Sequence, residues 1–134
     1  MAVKARIRFD FKATTSGRKF FWQRQNLREI ATDLRSQQAS ILKNMPFQGL
    51  NVENLDLDQE VYIIQDGADE VAFAPVELVV EADSIEDLMP LTLREEFRKI
   101  KVLEPNQISL SNGDVERLLF KVNEEYRDEI LCQD

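Results

Sequence analysis

Val3, Ala5, Ile7, Phe9 and Phe11 alternate with Lys4, Arg6, Arg8, Asp10 and Lys12. Successive side chains of a strand point to opposite sides, so this period of two predicts a strand with one buried and one wet face. Thr14 to Gly17 reads as a turn. From Lys19 to Met45 the apolar positions change to steps of three and four: Phe20, Phe21, Leu27, Ile30, Ala31, Leu34, Ile41, Leu42 and Met45. That spacing lines one stripe of a helix, which Pro46 ends because proline has no amide hydrogen.

Phe47 to Asn54 reads as a loop, followed by a strand through Leu55, Leu57, Val61 and Ile63 that ends near Gln65. Asp66-Gly67 is a strong turn signal, and Val71 to Ala82 supplies the second arm of an antiparallel hairpin. Pro75 cannot donate to a ladder, so it marks an edge or a bulge in that arm. Ser84–Asp87 and Thr92–Glu95 each have the spacing of a capping box, with Pro90 between two short helices. A brief strand is predicted at Ile100, Val102 and Leu103, and another at Ile108 and Leu110. A last helix starts at Ser111–Asp114 and places Val115, Leu118, Leu119, Val122, Tyr126 and Ile130 on an apolar face.

The order of these elements predicts one α+β domain spanning residues 1–134, with a single mixed or antiparallel sheet and helices packed on it. The nearest common topology is a split βαβ, ferredoxin-like arrangement. At 134 residues and 43% apolar content the chain is long and apolar enough for one core. No apolar run reaches the roughly 18–20 residues that a spanning helix needs, so no membrane role is expected. The alternating start lacks the run of about 7–15 apolar residues of a secretory signal, which places the chain in the cytoplasm.

Composition narrows the chemistry. There is no histidine, and Cys132 is the single cysteine. Internal disulfides, four-ligand Cys/His zinc sites and imidazole-dependent nucleophilic catalysis therefore fall away. Glycines at 17, 49, 67 and 113 are too scattered for a phosphate-cradling loop. Asn54, Asp56, Asp58 and Glu60 open like a calcium loop, but Gln59 and Gln65 occupy the positions that need glycine and glutamate. No metal or cofactor is expected; these acids read as the wet face of a strand.

Charge adds one asymmetry. The net charge is −8, yet Met1 to Met45 holds ten bases and three acids. Lys4, Arg6, Arg8 and Lys12 form a row on the wet face of the first strand. Lys19, Trp22, Arg24 and Arg28 extend it into the helix, with Trp22 lying off the apolar stripe as a partner anchor. Asp56, Asp58 and Glu60, on the next strand, are expected to face and neutralise the row. The preferred reading is a non-catalytic interaction or oligomerising module, an adaptor or regulatory subunit acting as a homo-oligomer or on a protein partner. One alternative is a nucleic-acid-binding accessory factor using the same cations. A carboxylate or magnesium enzyme is a third, without a marked residue pair to carry it.

Overall fold

A computed structural model describes residues 2–14, 26–44, 47–67 and 69–128. Strand β1 (Val3–Thr14) leads to helix α1 (Leu27–Asn44), then to strands β2 (Leu50–Asp56), β3 (Tyr62–Asp66) and β4 (Asp69–Ala82). A 3₁₀ turn (Ile85–Leu88) runs into the short helix α2 (Met89–Thr92), strand β5 (Phe97–Glu104) and helix α3 (Asn112–Tyr126). The strands make one five-stranded sheet ordered β2-β4-β1-β5, with β3 also pairing β4, and every ladder is antiparallel. The molecule is thus α+β with an antiparallel sheet.

The alternation of β1 governs the sheet. β1 and β4 pair residue for residue from Val3↔Ala82 to Thr14↔Val71. Directly opposite residues share a face. The inner face therefore combines Val3, Ala5, Ile7, Phe9 and Phe11 with Ala74, Val76, Leu78, Val80 and Ala82, all buried. Leu42 of α1, Leu88 and Leu91 close this core. The outer face carries Lys4, Arg6, Arg8, Asp10 and Lys12, and α1 lies across the inner side.

Several expected elements differ. The helix was expected from Lys19, but Asn26 is non-helical and caps α1: its Oδ1 accepts from the Glu29 amide at 2.9 Å. Such a cap satisfies an orphan donor and fixes the start at Leu27. Residues 19–25 lie outside the described set. The expected loop at 47–54 becomes strand from Leu50, entered through Gly49 at φ +74°, where any side chain would run into the Asp87 carboxylate. The single strand expected over 55–65 divides in two. Its interruption is local: the Asp58 amide bonds the Asp56 side chain at 2.8 Å, an Asx turn that diverts the chain.

That interruption explains Pro75, which lies in the central strand β4 rather than at an edge or bulge. β3 pairs with β4 up to Phe73 and β2 resumes the pairing at Glu77, so the missing amide hydrogen falls in the gap. The Asp10 amide bonds the Glu96 carbonyl at 3.0 Å, so Asp10 turns its backbone groups away from its partner Pro75. Arg35 of α1 fills the gap from the other side. Its Nη1 donates to the Gln59 carbonyl at 2.6 Å and to the Pro75 carbonyl at 3.3 Å.

Farther along, Ser84 starts the 3₁₀ turn with the expected box, and Pro90 sits in the first turn of α2 instead of separating two helices. Thr92–Glu95 starts no helix, because the Thr92 hydroxyl turns back to the Met89 carbonyl at 3.4 Å. Ile108 and Leu110 form no strand. Ser111 caps α3 as expected, accepting from the Asp114 amide at 3.1 Å. Its apolar face, however, is exposed at Val115, Leu119, Val122 and Tyr126, while Glu125 is buried; Ile130 lies outside the described residues. The ferredoxin-like arrangement itself is not established. α1 does join β1 to β2 across the intervening β4, but β3 is additional and the second crossover carries only the 3₁₀ turn and the four-residue α2.

Candidate functional site

Among the described residues no helix covers the outer face of the sheet, which collects the side chains that matter. Of the expected site residues, Lys4, Arg6, Arg8 and Lys12 stand there together, as the period of β1 requires. Arg28 does not join them: α1 packs on the inner side, and Arg28 Nη1 donates to the Val61 carbonyl at 2.7 Å. Lys19, Trp22 and Arg24 lie outside the described residues.

The expected neutralising acids are also elsewhere. β1 lies between β4 and β5 rather than beside β2, so Asp56, Asp58 and Glu60 do not face its row. Lys4 is instead surrounded by Glu53, Glu81 and Glu104: it pairs with Glu53 at 3.2 Å and lies in register with the other two. The hydrogen bond and charge of Glu53 raise the Lys4 pKa above the ordinary lysine value. Arg6 reaches Glu77 only loosely, at 3.9 Å.

At the middle of the face sits a buried carboxylate. Asp10 is 4% exposed although it points to the outer side, because aromatic and cationic side chains roof it. Arg8 Nε donates to its Oδ1 at 2.9 Å, Tyr62 Oη donates to its Oδ2 at 2.6 Å, and Arg98 Nε lies 3.8 Å from Oδ2. Tyr62 stacks on its cross-strand partner Phe73 with centroids 5.2 Å apart, and the Arg98 guanidinium lies 5.6 Å above the Phe73 ring. Cation–π contact and the carboxylate together fix Arg98. Burial, and then the bond to Asp10, raise the Tyr62 pKa; the bond to Asp10 raises that of Arg8. Asp10 thus orients two guanidinium groups and is itself fully occupied. It is placed to position those cations.

Beside this cluster the sheet sets like charges opposite one another. Arg6 stands across from Lys101 and Arg8 across from Lys99. Neither lysine has an ion-pair partner among the described residues, and like charges directly opposite in a ladder are destabilising. Arg6, Arg8, Lys99, Ile100, Lys101 and Glu77 line a cleft of ≈ 200 Å³. Four cations and Glu77 line it, and Arg8 is also paired with Asp10.

Lys99 and Lys101 were missed from the sequence, although the signal was present. Lys99-Ile100-Lys101-Val102 alternates like β1, but its span was short, and only register with β1 brings the two rows together. Among the described residues no group of three Asp, Glu, Cys or His side chains is arranged to hold a metal ion. No helix among them is long and apolar enough to cross a membrane. No family model, curated protein or solved structure matches this chain.

Proposed function

We propose that this protein is a non-catalytic interaction module whose open sheet face, between β1 and β5, docks an acidic segment of a protein partner. The observation that carries the reading is the double like-charge register, Arg6↔Lys101 and Arg8↔Lys99, in which neither lysine has an ion-pair partner among the described residues. A free fold gains nothing from that repulsion, whereas an anion laid along the cleft relieves it. Arg8, held by Asp10, presents its guanidinium already oriented, which lowers the ordering cost of binding.

An acidic peptide fits better than a nucleic acid. Two cross-strand pairs span only about 7 Å along the strands, against the 6–10 phosphate contacts typical of tight duplex binding. Glu53, Glu81 and Glu104 bound the patch at the Lys4 end, and the chain as a whole carries −8, which repels a long polyanion. We place this role in the cytoplasm, where a chain with a single cysteine needs no oxidising environment.

Titration against a glutamate-rich peptide and an oligonucleotide of equal charge tests the proposal. The expected result is peptide binding that weakens as salt rises and is lost on Arg6→Glu with Lys101→Glu. Tighter binding of the oligonucleotide would favour the accessory-factor reading instead. Failure of both to bind at low salt would contradict the site.

A further inference from the structure

β5 ends the sheet order, so among the described residues one of its edges pairs with no strand. Which residues face that edge follows from β1. The Asp10 amide bonds Glu96, on the β5 side, and β1 pairs with β4 without a shift. Arg8 and Arg6, at even steps from Asp10, therefore turn their backbone groups toward β5 as well. Their partners Lys99 and Lys101 answer them, in a register that runs unbroken over Lys99–Val102. Ile100 and Val102 then turn their amides and carbonyls to the open edge, where no backbone partner meets them among the described residues.

Side chains along this edge alternate with the backbone. Lys99 and Lys101 stand on the outer face, opposed by Arg8 and Arg6 and without an ion-pair partner among the described residues. Ile100 and Val102 stand on the inner face beside buried Ile7 and Ala5, yet are 37% and 40% exposed. Free main-chain groups, cations on one face and half-covered apolar groups on the other thus meet on one strand. The sheet's other edges offer less: β2 is shifted in register between Val52 and Asn54, and β3 has only five residues.

From this edge we infer that the acidic partner segment binds as an added antiparallel strand on β5, with Asp or Glu opposite Lys99 and Lys101 and apolar residues opposite Ile100 and Val102. The inference rests on the acidic-segment reading above and gives that segment its conformation and its alternation. In such strand addition the main-chain bonds supply affinity and the alternate side chains supply specificity. The backbone groups of both lysines go to β1, so acids opposite them occupy non-hydrogen-bonded positions, where facing side chains lie closest. Across the outer face the rows then run Arg6, Lys101, acid and Arg8, Lys99, acid, and each like-charge pair gains an anion on its open side. On the inner face the added apolar residues continue the layer beyond Ile100 and Val102. The same lysines reject a second copy of β5, because a two-fold axis at Ile100 would set Lys99 against Lys101. They blunt pairing with a like strand and select an acidic one.

Titration of the full chain with peptides as long as β5, which has 8 residues, tests the inference. One peptide alternates glutamate and valine; a second has the same composition in two blocks. The alternating peptide is expected to bind about tenfold or more tighter. N-methylation of its valines, whose amides face β5 in this register, should remove that advantage. N-methylation of its glutamates, whose amides face away, should leave it. Equal binding of the alternating and block peptides, or indifference to valine methylation, would overturn the added strand while the acidic-segment reading stands. Failure of both peptides to bind at low salt would overturn the two together. A free chain that sediments as a dimer and becomes monomeric on Val102→Pro would give the edge to a second copy and overturn the inference as well. That proline removes only an amide turned to the open edge.

Discussion

Asp10 shows how a single residue can contradict the simplest reading of an alternating strand. Its position in β1 assigns it to the wet face, and it is on that face, but Tyr62, Arg8 and Arg98 bury it there. A buried carboxylate needs such partners, and each hydrogen bond to a charged group contributes about 1.5–3 kcal/mol. Tyr62→Phe should therefore destabilise the fold by about 1–2 kcal/mol, read as a lower urea midpoint with an unchanged slope. The pH dependence follows in sign. Tyr62 has a raised pKa, so its contribution is complete below the ordinary tyrosine range and is lost as pH rises through its own higher value. Wild type should thus lose more stability than Tyr62→Phe in alkaline solution; equal losses would show that the phenol is not coupled to folding. The alternation in β1 made the outward placement of Asp10 legible, but its partners come from positions 62 and 98. No local pattern announces a meeting across such separations.

At the level of elements, the gap between β2 and β3 is closed by a side chain from the opposite layer. Pro75 removes a donor where neither edge strand would have accepted it, and Arg35 satisfies the carbonyls left facing the gap. Pro75 is among the fully buried residues, so a lost donor there is not readily replaced by water. Arg35→Met should cost about 1–3 kcal/mol in a denaturation experiment, the penalty of leaving buried carbonyls unpaired. A neutral result would mean that water reaches the gap. Element existence was largely readable in the sequence: β1, the hairpin at Gly67, the Ser84 turn and the Ser111-capped helix all follow from local spacing and capping chemistry. The break at Asp56–Val61 was not readable, because parity continues through it and only the Asx turn interrupts the strand. Nor was the orientation of α3. Its periodicity names an apolar stripe without saying whether its own core receives it.

On the scale of the whole molecule, the sequence located a row of cations and expected acids from positions 56–60 to meet it. Insertion of β4 between β1 and β2 decides otherwise, and the long connection that permits it leaves no trace in composition. Lys4 finds its acids in Glu53, Glu81 and Glu104, while Arg6 and Arg8 face Lys101 and Lys99. The two faces of the sheet thus have separate tasks. The inner one builds the core and leaves the β5 flank open, and the outer one sets like charges opposite one another, an arrangement that costs stability.

That cost is directly measurable in the free protein. Lys101→Glu turns the pair with Arg6 from repulsive to attractive, so thermal or urea unfolding at low salt should show a gain of about 0.5–1 kcal/mol, shrinking as salt is added. A Lys101→Glu variant that is no more stable than wild type at low salt would mean that the facing cations do not strain the free sheet, and the acidic-segment site would lose its physical basis.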